Sequence, residues 1–71
     1  MLTFGTVVKL TNPQGVEDKT IATAKGDRCA VYFETTLPHG YARIAFYGDA
    51  KGLTYLVHPE SLEIVYQSKK A

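Results

Sequence analysis

Seventy-one residues with eight Lys and Arg against seven Asp and Glu make one small domain of net charge +1, without the basic excess of a protein held to phosphates by charge alone. A hydrophobic content of 45% excludes a chain too polar to collapse, yet a domain this short buries only about 60% of its unfolded surface, so marginal stability is expected. The lone Cys29 cannot close an internal disulfide, and neither a signal-like leader nor an apolar stretch near ~20 residues is present, so a soluble protein of the reducing cytoplasm is expected.

Strand signals dominate from the start. Residues 5–10 are rich in β-branched types and stop at Thr11-Asn12-Pro13-Gln14-Gly15, where Asn, Pro and Gly supply turn chemistry. Residues 16–19 read as a continuation of that loop, and residues 20–24 as a weak small-residue strand. Gly26-Asp27 then fits a two-residue hairpin turn, since glycine adopts positive φ without steric cost. No window of about 11 residues shows apolar positions at helical spacing.

Residues 28–34 alternate cleanly, which assigns Cys29, Val31 and Phe33 to the core and Ala30, Tyr32 and Glu34 to the opposite side. Pro38 and Gly40 make residues 35–40 a loop. Residues 41–47 alternate again, with Ala42, Ile44 and Phe46 inward against Tyr41, Arg43, Ala45 and Tyr47, so the two strands are expected to pair as an antiparallel hairpin. Gly48-Asp49-Ala50-Lys51-Gly52 forms the next turn and residues 53–57 the next strand. Pro59-Glu60-Ser61 is long enough for one 3₁₀ turn, and residues 62–66 complete the domain. Residues 67–71 read as a polar tail beyond a single domain over residues 1–66. The result is an all-β protein of five or six short antiparallel strands.

That order of elements resembles the SH3-like small β-barrel. His58-Pro59-Glu60-Ser61-Leu62-Glu63-Ile64-Val65 looks like that barrel's penultimate turn and closing strand. Within it, Thr36-Leu37-Pro38-His39-Gly40-Tyr41-Ala42, with Pro59 and Leu62-Glu63 downstream, is similar to a stretch of the type II dihydrofolate reductases, tetrameric barrels that share one pore. That family lines its pore with a Val-Gln-Ile-Tyr motif. The matching stretch here is Leu53-Thr54-Tyr55-Leu56, without the glutamine, so the resemblance implies the barrel and not the reaction.

The residues expected to carry function are Tyr32, Tyr41, Arg43 and Tyr47, gathered on the outer side of the hairpin, with Tyr55 joining them if its strand turns that side outward. Tyrosine and arginine are enriched where proteins bind proteins, because each offers large contact area with a polar tip. The expectation is a non-enzymatic binding module for a protein partner. The alternative is a nucleic-acid-binding barrel that stacks bases on the same rings, with Arg43 and Lys51 supplying charge. An oligomeric reductase built between chains is the third reading.

Other chemistry finds less support. His39 and His58 sit beside prolines without metal-ligand spacing, Cys29 is expected to act as a small core hydrophobe, and no cofactor is implied. The glycines at 48 and 52 lack phosphate-loop spacing. Glu60 and Glu63 belong to a solvated turn and strand.

Overall fold

Five antiparallel strands form one sheet in the order β4-β3-β2-β1-β5 in the computed structural model, which describes residues 3–34 and 40–67. In chain order the elements are β1 (Val7–Leu10), α1 (Val16–Lys25), β2 (Cys29–Glu34), β3 (Ala42–Phe46), β4 (Tyr55–Val57), a 3₁₀ turn (Pro59–Ser61) and β5 (Leu62–Tyr66). The last strand returns to pair with the first, matching Lys9 to Glu63 and Leu10 to Leu62. The mostly β reading, the β2–β3 hairpin and the proline-led turn before the last strand are all present. The expected loop over residues 35–39, including His39, and the tail over residues 68–71 lie outside the described residues.

The segment after β1 corrects the sequence reading. Residues 16–25 form a helix, not a loop followed by a strand. Its inward stripe consists of Asp18, Ile21, Ala22 and Lys25, spaced i, i+3, i+4 and i+7. Only the middle two are apolar, so a search for apolar periodicity passes over it. Local chemistry nonetheless favours the helix: Glu17 and Asp18 lie in the first turn and Lys25 in the last, each at the end of the backbone dipole that suits its charge. Thr20 and Thr23 turn their hydroxyls onto the carbonyls of Val16 and Lys19, at 3.0 and 2.9 Å. Gly26 ends the helix at φ 62°, its N–H donating to Ala22 O, so it acts as a helix cap and not as part of a hairpin.

The core lies on one face of the sheet. Val8, Leu10, Ala30, Tyr32, Ala42, Ile44, Phe46 and Val57 are buried together, and Ile21, Ala22, Tyr55 and Leu62 pack against them. Here β2 is reversed from the sequence reading: Ala30 and Tyr32 face inward, whereas Cys29, Val31 and Phe33 are half-buried on the other side. Register decides the matter. Ala30 pairs with Phe46 and Tyr32 with Ile44, and directly opposed residues share a face, so burying Ile44 and Phe46 carries Ala30 and Tyr32 inside with them. Large side chains thereby meet small ones, Phe46 over Ala30. Between Tyr32 and Glu34 the register shifts by one residue, and Glu34 pairs with Arg43 on the outer face.

Candidate binding face

The register places a continuous set of side chains on the outer face of the sheet. Tyr66, Val7, Val31 and Ala45 succeed one another across β5, β1, β2 and β3. A second row runs Glu63, Lys9 and Cys29, and continues to Tyr47, whose N–H donates to Cys29 O at 3.1 Å. A third joins Glu34, Arg43 and Leu56. Phe33 reaches the same side at the register shift, where the Phe4 ring meets it at a centroid distance of 5.6 Å. The helix packs on the core face, so among the described residues no helix or strand lies over this one.

Of the residues expected to form the site, Arg43 and Tyr47 are on this face. Tyr47 is 56% exposed, just past the end of β3. Arg43 holds its Nε 3.0 Å from Glu34 Oε1, an ion pair without hydrogen-bond alignment, and its Nη1 donates to Thr54 Oγ1 at 3.4 Å. Tyr41 precedes β3 and sets its ring edge-on against His58, 5.2 Å between centroids, at one end of the sheet. Tyr55 leans inward, its ring against Phe46 at 5.7 Å with the Lys25 ammonium 5.2 Å from its centroid. Its strand does not turn that ring outward.

Tyr32 is the clear correction: at 1% exposure it belongs to the core, carried there by its pairing with Ile44. Its hydroxyl has no hydrogen-bond partner among the described residues. Burial, with Glu34 nearby, pushes that phenol above the ordinary tyrosine range. In its place the outer face gains Val31 and Phe33, half-buried, together with Phe4, 66% exposed. The signal that could have identified them is the parity of the β2–β3 pairing, which the two alternation patterns constrain only jointly.

A second polar cluster joins α1 to the turn before β5. Asp18 is buried, and its Oδ2 accepts from the Ser61 hydroxyl at 2.5 Å, from the His58 N–H at 3.1 Å and from His58 Nδ1 at 3.0 Å. Burial alone would raise the carboxyl, but the bonds from Ser61 and His58 outweigh it and hold Asp18 below the ordinary aspartate range. An ionised carboxylate can only accept, so His58 Nδ1 carries its proton. Aspartate, serine and histidine do not make a nucleophilic triad here. Ser61 is fully buried, its hydroxyl donates to Asp18 and it accepts from the Gln14 N–H at 3.0 Å, which leaves no imidazole to take its proton and no path for a substrate.

At the other end of the helix Lys25 and Arg28 converge on Asp49 in the β3–β4 turn, at 2.8 and 2.9 Å. The Lys25 hydrogen bond is the main cause holding the Asp49 carboxyl below its ordinary range, and Asp49 in turn raises Lys25. Among the described residues no group of three His, Cys, Asp or Glu could hold a metal ion, and no helix is long and apolar enough to cross a membrane. Comparison of the chain with protein-family models, with curated proteins and with solved structures yields no match.

Proposed function

We propose that the protein is an SH3-like barrel serving as a non-enzymatic binding module, which contacts a protein partner through the outer face of the β2–β3 hairpin. The single observation that carries this reading is the one-sided sheet: Phe33, Tyr47 and Leu56 lie on the face opposite the helix, beside the Arg43–Glu34 pair. Apolar and aromatic area beside a charged pair is the composition of a protein interface, with rings for contact and charge for orientation. The strand order and the 3₁₀ turn ahead of the last strand support the SH3-like assignment. An adaptor, inhibitor or accessory subunit would need no more than this surface, and the unpaired Cys29 suits a reducing cytoplasm.

Nucleic acid is the weaker fit. Arg43, one of the two cations that reading relies on, is engaged by Glu34, and Lys25 and Arg28 are engaged by Asp49. The test immobilises the chain and the double variant Arg43→Ala, Tyr47→Ala in parallel, captures proteins from source-cell lysate and identifies them by mass spectrometry. The expected result is a protein retained by the parent and lost from a variant whose melting temperature is unchanged. Equal capture by both would overturn the reading.

A further inference from the structure

A second surface adjoins that face at Leu56, where α1 runs beside the sheet edge formed by β4. Between them is an open groove of about 440 Å³, walled by Glu17, Thr20 and Ile21 on the helix and by Thr54, Tyr55 and Leu56 on the strand. The direction of the backbone groups at this edge follows from one hydrogen bond. Tyr47 N–H donates to Cys29 O, so Cys29 and Tyr47 form a bonded pair. Backbone groups of successive residues in an antiparallel ladder point to alternate sides. Tyr47 and Ala45 therefore address β2, and Phe46, Ile44 and Ala42 address β4.

Ile44 pairs with Tyr55 and Ala42 with Val57, so those two residues of β4 spend their N–H and C=O groups on β3. Leu56, between them, directs both of its groups off the sheet edge. His58 is in phase with Leu56, and its N–H is taken by the Asp18 carboxylate, which shows that this direction leads toward α1. The helix thus satisfies one outward amide and, among the described residues, leaves the one at Leu56 open beside the groove. The opposite edge is built differently: β5 carries Val65 as an extra residue against Val7 and Val8, a bulge of the kind that blunts edge pairing, whereas β4 pairs without irregularity.

We propose that this groove accepts an extended peptide segment of a protein partner as an added strand on β4, with one apolar side chain over Ile21 and a lysine or arginine two residues away facing Glu17. An extended backbone offers the reciprocal donor and acceptor that Leu56 presents. Glu17 and Ile21 are four residues apart on the helix, which separates them by about 5–6 Å along the groove. Alternate side chains of a strand stand about 6.5–7 Å apart, close enough to match. Of the residues lining the groove, Glu17 alone is charged, which favours a cation at its end of the groove.

The test selects short peptides from a random displayed library on the full chain, and then measures the synthetic peptides by calorimetry and by amide NMR. The expected peptides combine apolar and basic residues two apart, shift the amides of residues 17–21 and 54–56, and slow hydrogen exchange at Leu56. N-methylating the peptide amides of one alternate set lowers affinity at least about tenfold while methylating the other set does not, because only one set faces β4. Glu17→Lys, with melting temperature followed as a control, is expected to cost basic peptides a similar factor and to favour acidic ones. Leu56 is shared with the hairpin face, but Tyr47 does not line the groove, so Tyr47→Ala leaves peptide binding intact. Failure to select any peptide, indifference to N-methylation and to Glu17→Lys, or shifts confined to β5 or to the hairpin would each overturn the proposal.

Discussion

The two ends of α1 are held by opposite means. At the N-terminal end a single buried carboxylate gathers three hydrogen bonds from the His58–Ser61 turn. At the C-terminal end a lysine and an arginine share one largely buried carboxylate, with only the Arg28 side chain, 50% exposed, open to water. A ten-residue helix is marginal in water without tertiary support, so both attachments matter, but loss of Lys25 leaves Asp49 its Arg28 partner, whereas loss of Asp18 strands its donors. A charged residue on the inward stripe of a helix is therefore an anchor wherever the opposing element supplies its partners.

Asp18 carries most of the difference between the two ends. Asp18→Ala strands the Ser61 hydroxyl and the His58 N–H without their acceptor, and urea denaturation is expected to show a loss of about 2–4 kcal/mol, a large share of the stability of a domain this size. If Lys25→Met costs as much, the contrast between the two ends fails.

Acid sharpens the same comparison. Asp18 and Asp49 both titrate below 3.8 in the folded protein, so the unfolded chain takes up protons first as pH falls. The stability they contribute is complete above about 3.8 and is lost as pH drops through their lowered values. Melting temperature measured against pH should fall below that point, and the Asp18→Ala variant should fall less steeply.

The smallest effect belongs to Lys25→Met, which keeps an apolar stem over the Phe46 and Tyr55 rings and removes the ammonium, with its Asp49 pair and its place over those rings. A slight drop in melting temperature is expected, because Asp49 keeps its Arg28 partner, and that remaining pair, half-exposed on the arginine side, should weaken in salt.

The strands and the 3₁₀ turn were legible because their residues obey local rules: β-branched runs, alternation, and proline ahead of a tight turn. The helix was not, because the ends of its inward stripe, Asp18 and Lys25, have partners some 24 to 43 residues away along the chain, which no local window contains. The inward face of β3 was legible and that of β2 was not. Val31 and Phe33 outweigh Ala30 and Tyr32 in hydrophobicity, but register to Ile44 and Phe46 overrides the comparison. Arg43 and Tyr47 were found on the outer face because their own strand was read correctly, and Tyr32 was misplaced for the same reason that Phe33 was.

The Asp18 anchor also bears on the order in which the chain takes shape. Its partners His58 and Ser61 lie 40 and 43 residues downstream, while the strands β1 and β2 that flank the helix can pair as soon as they exist. During synthesis α1 leaves the ribosome long before the turn that secures it, and contacts of such sequence separation form slowly. The helix is therefore expected to be secured late, together with the pairing of β1 and β5, whose partners lie farther apart still, with the Asp18 bonds fastening it once the His58–Ser61 turn has formed.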